Sequence, residues 1–382
     1  MEKYDVIIVG AGASGLMCAL ATKNKKVLIL EKDNKIGKKI LVTGNGRCNL
    51  TNKNINQSFY NTNNVSKFFN VFSNNQTLKF FEDIGLNCYY DEEGRCYPIS
   101  NHASSVLECL RLSIEKQPNI KVKTNEKVVK IEKKDDYFVV KTNNWEYVST
   151  SVVVSAGGNF ENIFDFNVSV SAFRPALCSL KTNFNKGVNG VRQKNVLAKL
   201  IINNNLIKQE AGEILLKENS VSGICIFNLS NYYISQKDAK IVLDLLPMFN
   251  NDELVTLLSK KLEIYKNSNN LLNGLFYKDL CLNILEKCNL TNKDSSSISL
   301  TEIENLAFII KNYSLDITGY GENNQIYAGG VDLENLDENL MLKDIKNLYF
   351  TGEACNVYGN CGGYNLQWAW TSGFVAGKHL SK

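Results

Sequence analysis

Three glycines carry the first chemical signal. Gly10, Gly12 and Gly15 form G-x-G-x-x-G, directly after the β-branched run 5–9 and directly before the small, apolar stretch 16–22. Such a turn reverses tightly at the first glycine, lets the backbone approach a pyrophosphate at the second, and packs helix on strand at the third. The helix N-terminus adds partial positive charge for the phosphates. Ser14 lies inside the same turn. Glu31 follows about 20 residues later, at the end of the apolar run 27–30, where a carboxylate binds the hydroxyls of an adenosine ribose. An acidic ribose ligand disfavours a 2′-phosphate, so the bound group is FAD or NAD in preference to NADP.

Two further segments separate FAD from NAD. Residues 37–52 are polar, glycine-rich and basic. Residues 348–353 read as a strand running into Gly352-Glu353, followed by the glycine-rich stretch 359–367 and a closing helix over about 366–379. In flavoproteins of the two-dinucleotide-fold type, a strand ending in Gly-Asp/Glu touches the ribityl–pyrophosphate region. The helix after it directs its N-terminus at the isoalloxazine edge, where negative charge develops on reduction. A chain that returns at its C-terminus to finish an N-terminal Rossmann domain fits FAD. No second complete G-x-G-x-x-G follows a strand, since Gly44-Asn-Gly46 lacks the third glycine. A nicotinamide, NAD(P)H, is therefore expected only as a transient reductant.

The elements that must position these residues follow from pattern. Runs 5–9 and 27–30 are strands, 16–22 a helix, and 103–115 a second helical face. Residues 122–154 read as successive strands ending in Ala156-Gly157-Gly158. Beyond Leu180 the pieces 197–202, 213–216 and 224–229 read as short strands, and 253–265 as a helix. The expected fold is α/β: a discontinuous FAD domain of residues 1–182 and 319–382.

Composition narrows the chemistry. The 382 residues are 44% hydrophobic and contain two histidines, His102 and His379. Multi-histidine catalysis and His-rich metal sites are thus excluded. The 11 cysteines show no C-x-x-C pair and no metal-type spacing, as expected of reduced thiols. No metal site is expected. A formal charge of +4 is too small to argue for nucleic acid by itself. The apolar stretch 6–21 holds three glycines and is shorter than the roughly 20 residues a spanning helix needs. A cytoplasmic protein without membrane association is expected, and no stable protein partner is deducible.

The sequence resembles the bacterial BaiN/aminoacetone-oxidase-like FAD flavoproteins, a family that includes ribosomal RNA dihydrouridine synthases. The resemblance rests on Gly10–Gly15 with Glu31-Lys32, Gly37-Lys-Lys39, Thr43-Gly-Asn-Gly-Arg-Cys-Asn49, Gly94-Arg95 with Tyr97-Pro98, Ala156-Gly-Gly158, Arg174-Pro-Ala-Leu177, Ala328-Gly-Gly-Val331, and Gly352-Glu353 through Gly362-Gly-Tyr-Asn-Leu-Gln367. It implies an inserted domain, residues 183–318, with a β-barrel-like part and a helical part. It also implies FAD contacts from Gly10, Gly12, Ser14, Gly15, Glu31, Lys32, Lys39, Gly44, Gly46, Arg47, Asn49, Val128, Ala156, Gly157, Gly352, Glu353, Gly363, Asn365 and Leu366. The chain departs from the family in the short segment 159–165, and in having Asn356 and Tyr358 where aspartates are usual.

The resemblance further implies reduction of a uridine in large-subunit rRNA to dihydrouridine. Hydride from reduced flavin would reach C6 of the uracil, and Cys48 or a tyrosine such as Tyr97 would protonate C5. Arg47, Arg95, Lys38 and the basic run 186–199 would hold phosphates at a positively charged mouth between the domains. Alternatives stand beside it: oxidation or reduction of an aminoketone or a steroid-like enone, or a non-catalytic FAD-binding role. Several residues have two readings. Lys38 and Lys39 face the FAD phosphates or form a solvated turn. Cys48 is a proton donor, a redox partner of a thiol such as Cys361, or a small packing residue. Asn365 and Gln367 bind the flavin ring, or Asn365 caps the last helix. Tyr97 and Tyr364 form a stacking wall or belong to the core.

Overall fold

The computed structural model describes residues 2–158, 160, 162–183, 185, 187–235, 238–322 and 324–382. Asn159 and Glu161 of the shortened central segment, and Lys186 of the basic run, lie outside the described residues. The chain divides into two compact units, Met1–Arg174 with Ile326–Lys382, and Pro175–Gln325.

The first unit begins as the glycine turn requires, with β1 (Glu2–Val9), α1 (Ala13–Ala21) and β2 (Val27–Leu30). Next come α2 (Lys38–Val42), β3 (Thr51–Asn52), α3 (Ser66–Phe69), α4 (Asn74–Asp83), β4 (Cys88–Tyr90), β5 (Arg95–Pro98) and α5 (Ala103–Glu115). The strands β6 (Ile120–Lys123), β7 (Val128–Lys133), β8 (Phe138–Thr142), β9 (Glu146–Val154) and β10 (Ser171–Ala176) follow. Among the described residues, the main sheet runs β6-β2-β1-β9-β8-β7. Strand β9 is long enough to be shared. Its first half pairs antiparallel with β8 (Val139 opposite Val148). Its second half pairs parallel with a strand from the far end of the chain, Leu348 standing opposite Val152. Ile7, Ile8, Leu28, Ile29, Val152 and Val153 are fully buried. That is why these strands read as unbroken apolar runs and do not alternate.

The second unit is a closed barrel followed by helices. Its strands are β11 (Leu180–Thr182), β12 (Val191–Ile202), β13 (Asn205–Lys217), β14 (Ser220–Ser222), β15 (Ala239–Asp244) and β16 (Tyr313–Tyr320), closing in the order β11-β14-β13-β12-β15-β16. The segment 224–229, expected as a strand, is instead the helix α6 (Ile224–Ser230). Gly223 ends β14 at φ 122°, and Cys225, Ile226 and Leu229 are buried at helical spacing. A short apolar run does not distinguish the two periods by itself. Helices α7 (Asn251–Ile264), α8 (Lys278–Lys287) and α9 (Leu300–Lys311) lie between β15 and β16. Capping boxes at Asn250/Glu253 and Ser299/Glu302 start α7 and α9. The chain then returns to the first unit as β17 (Ile326–Gly330), which pairs with β10, then β18 (Leu348–Phe350) and α10 (Tyr364–Leu380). Fold class and inserted barrel-plus-helix architecture are as the sequence implies. Among the described residues no helix is long and apolar enough to cross a membrane.

Candidate functional site

The site is assembled at one edge of the main sheet. Strands β1, β2, β9 and β18 are parallel, so Gly10, Glu31, Ser155–Gly157 and Thr351–Glu353 all follow strand C-termini at that edge. Ligands of open α/β sheets bind there. A Cβ on Gly15 would collide with the Gly10 carbonyl, so this position sets how closely α1 approaches β1. Gly12 is different. A Cβ there would meet nothing within 4 Å, although Gly12 is the N-cap of α1 and no side chain caps that helix. The first amides of α1 therefore open onto space beside the cradle, as pyrophosphate binding requires. Ser14 is buried behind this turn.

Glu31 is 9% exposed, and its two carboxylate oxygens accept from the amides of Ala11 (2.8 Å) and Asp33 (2.9 Å). This ties the end of β2 to the glycine turn and leaves further acceptor sites on the carboxylate for ribose hydroxyls. The segment leading to Val128 runs alongside, with Asn125 donating to the Asp33 carbonyl (2.9 Å) and Glu126 to the Glu31 carbonyl (2.8 Å). Val128 itself is buried at the start of β7, and Lys32 is exposed. Lys39 places its ammonium on both oxygens of Glu353, at 2.6 and 2.7 Å. Gly157 faces the same carboxylate, 3.9 Å from the position of a Cβ, and Ala156 is half-buried. Lys38 pairs with Asp33 at 3.0 Å. Both lysines of the turn are thus committed to carboxylates.

At the other end, residues 43–49 meet the start of α10. Gly44 and Gly46 carry positive φ, 57° and 80°, and bend this segment around Asn49. Arg47 is exposed, yet its guanidinium lies 4.3 Å from the centroid of the Tyr97 ring and donates to the Tyr97 hydroxyl at 3.3 Å. Burial raises the Tyr97 phenol above its ordinary pKa, with Arg95 and Arg47 opposing, so the phenol keeps its proton at neutral pH. Asn49 is 8% exposed, and its Oδ1 has no hydrogen-bond partner. That oxygen lies 2.8 Å from where a Cβ of Gly363 would sit, beside the N-terminus of α10, which no side chain caps. A buried acceptor without a donor is costly. The flavin ring carries an N–H of the kind this oxygen lacks. The open Gly12 cradle, the uncapped ends of α1 and α10, and Asn49 together fit FAD.

The remaining expected residues separate. Cys48 is fully buried at φ 60°, and burial pushes its thiol up to about 12. That placement matches the packing reading, because a thiol so enclosed and so weakly acidic does not reach solvent. Iodoacetamide on the native protein at pH 8 should leave Cys48 unmodified, and peptide mass spectrometry should find it alkylated only after unfolding. Tyr97 and Tyr364 have different ring partners. Tyr97 neighbours Tyr89 (6.2 Å), whereas Tyr364 stacks on Phe59 (4.6 Å, 25°). Asn365 is not the cap of α10, which is Gly363. Its amide donates to the Gly359 and Asn360 carbonyls (3.0 and 3.2 Å) and holds the preceding loop. Leu366 is half-buried after it.

Gln367 belongs to the core and not to the flavin ring. It accepts from Thr51 (2.6 Å) and donates to Thr77 and Thr371 (both 2.9 Å), which uses its amide hydrogens fully. Gln367→Leu should cost about 3 kcal/mol in denaturant melts, by stranding buried hydroxyls. Asn356 and Tyr358 are also structural. Asn356 donates to Asp332 (2.7 Å) and accepts from the Gly329 amide (3.1 Å), so an aspartate here would face another carboxylate. Arg174 donates to the Tyr358 hydroxyl at 3.0 Å. Tyr60, which donates to the Tyr364 carbonyl (2.8 Å), had no sequence signal, because it sits in an irregular Asn-rich stretch.

A Rossmann sheet with a glycine turn, a carboxylate after its second strand and a second helix N-terminus over the same edge is the architecture of an FAD-dependent oxidoreductase. The chain belongs to the HI0933-like family: residues 4–163 and 305–379 match its Rossmann domain, and residues 174–324 its barrel and H2TH domain. It is similar to a 3-dehydro-bile acid delta(4,6)-reductase of Clostridium scindens, with 32% identity over 97% of each chain. It is also similar to a ribosomal RNA dihydrouridine synthase of Haemophilus influenzae, with 25% identity over 100% of each chain. The FrdA subunit of Escherichia coli quinol fumarate reductase has a related fold, with a TM-score of 0.50 and 14% identity over 100% of this chain and 70% of FrdA.

Proposed function

We propose that this chain reduces a carbon–carbon double bond conjugated to a carbonyl, and that its substrate is a uridine of large-subunit rRNA. The observation that carries the reading is Arg47, an exposed residue whose guanidinium lies 4.3 Å from the centroid of the buried Tyr97 ring. Hydride addition to the β-carbon of such a system drives negative charge onto the carbonyl oxygen. A fixed cationic donor stabilises that charge. Tyr97, 2% exposed, accepts from Arg47 and holds it in place, and the proton for the α-carbon comes from solvent. When bound, FAD in its reduced form would supply the hydride, with NAD(P)H as the transient reductant this reading implies. In uracil the C5–C6 bond is conjugated to the C4 carbonyl. The names of both curated relatives describe this chemistry: one acts on ribosomal RNA to give dihydrouridine, the other on delta(4,6) bonds of a 3-dehydro-bile acid.

The RNA reading has one adjustment. Arg95 and Lys38, expected on phosphates, are held by Asp91 (2.8 Å) and Glu93 (2.8 Å), and by Asp33 (3.0 Å). Phosphate contacts must come from other cations. Mass spectrometry of rRNA from a deletion strain tests the proposal: one dihydrouridine should vanish and return on complementation. Persistence of every dihydrouridine would remove RNA as the substrate. A second reading, a polycyclic enone, is favoured by the higher identity to the bile-acid reductase and by the apolar side chains of α2, where Val42 is 72% exposed. Turnover of a steroid 4-en-3-one with NADH or NADPH by the FAD-loaded protein, without loss of any dihydrouridine on deletion, would establish that reading instead.

A further inference from the structure

We propose that the outer face of the barrel, across β12, β13 and β15, is a docking groove for the sugar–phosphate backbone of the RNA substrate. The inference rests on the rRNA reading above and adds a surface to it. Along β12, Ala198, Leu200 and Ile202 point into the barrel and are buried, so Lys199 and Ile201 point outward. On β15, Ala239 and Ile241 point inward, and Lys240 and Val242 outward. The outward residues line a groove of about 390 Å³, to which Ile201, Val242 and Leu206 give aliphatic surface and Lys199, Lys240 and Gln209 polar groups.

The register fixes the spacing of the two cations. Lys199 stands opposite Val242, and Ile201 opposite Lys240. The lysines are therefore diagonal neighbours, about 7–8 Å apart. Among the described residues neither side chain makes an ion pair or a hydrogen bond, and Asp316, opposite Lys240 on β16, accepts from the Asn183 side-chain amide at 3.1 Å. Asp316 is the one carboxylate among the described residues placed opposite either lysine, so the groove keeps a net positive charge that suits a polyanion. Leu206 is 54% exposed, and the aliphatic surface suits a base or sugar face. An acidic peptide fits less well. The barrel is closed, so it presents no strand edge to which a peptide main chain could add. Nucleic acid needs no such edge, because its charge repeats with every nucleotide.

The test uses full-length, FAD-loaded protein and transcribed large-subunit rRNA in filter binding across a salt series. K199E/K240E should bind at least 10-fold more weakly. Neutral K199Q/K240Q should lower the slope of log affinity against log salt by about 1.4, as expected when two single-strand phosphate contacts are lost. K199R/K240R should bind as the wild type does. FAD absorbance and the rate of flavin reduction should not change in any variant, which separates docking from folding and from chemistry. Equal affinity and slope for wild type and K199E/K240E would overturn the groove while leaving the rRNA reading intact. A wild type that binds no transcript, from a strain whose deletion keeps every dihydrouridine, would overturn both. If wild type binds polyglutamate as tightly as the transcript, and the double variant loses both, the groove belongs to an acidic peptide and the RNA assignment fails.

Discussion

Gly12→Val should give a protein that folds normally and purifies without flavin. The reason is the asymmetry between two glycines of one motif. At Gly12 an added Cβ meets no protein atom within 4 Å, so the apoprotein has room for the side chain. That same room faces the uncapped N-terminus of α1, where the pyrophosphate must lie. An isopropyl group there blocks the approach and removes access to the helix amides. FAD affinity should fall by at least 100-fold in titrations of apoprotein, with thermal unfolding of the apoprotein unchanged. Gly15→Val should do the opposite. Its Cβ would collide with the Gly10 carbonyl oxygen, and α1 would have to leave β1. Overpacking of this kind costs about 3 kcal/mol or more, so the expected result is insoluble or strongly destabilised protein. Equal behaviour of the two variants would sink the assignment of this turn to a phosphate.

Arg47→Met should leave FAD bound and lower kcat/KM for the conjugated carbonyl substrate by about 100- to 1,000-fold, the usual loss when one preorganised donor to a developing oxyanion is removed. Methionine preserves much of the length and packs on the Tyr97 ring, so the change removes charge and hydrogen-bonding capacity in the main. The loss should fall on kcat more than on KM, because the interaction strengthens as charge builds. Arg47→Lys should recover only part of it. A lysine keeps the charge but lacks the flat guanidinium that lies over Tyr97 at 4.3 Å. If Arg47→Met raises KM for RNA and spares single-turnover rate, Arg47 is a phosphate contact instead. Stopped-flow reduction by NAD(P)H and single-turnover reoxidation by substrate, read separately, distinguish the two.

The glycine turn was fully legible because each residue answers a local steric demand. The Gly10–Gly15 spacing, the β-branched run before it and Glu31 after β2 all act within one strand–helix–strand unit. Gly352-Glu353 was legible for the same reason, as a short strand ending in a fixed pair. The barrel was legible only through family resemblance. Its two longest strands, β12 and β13 (12 and 13 residues), are interrupted in sequence by Asn195 and Gly212, so only the pieces 197–202 and 213–216 read as strands, and the segment 224–229 had no periodicity strong enough to reveal α6.

What the sequence by itself determined is the strand–turn–helix of a dinucleotide-binding unit, since each residue of the Gly10–Gly15 turn answers to near neighbours in the chain. The division of labour among the polar residues was decided only by tertiary structure. Gln367 and Asn365 lie two positions apart, yet one is locked by Thr51, Thr77 and Thr371 and the other holds the 359–360 loop. Cys48 and Arg47 are adjacent, yet one is fully buried and the other exposed over Tyr97. Lys39 finds Glu353 across 314 positions of sequence. A motif specifies which side chains are present. Whether each one faces ligand, core or solvent depends on partners brought from distant segments, and those partners exist only once the sheet and α10 have closed around them.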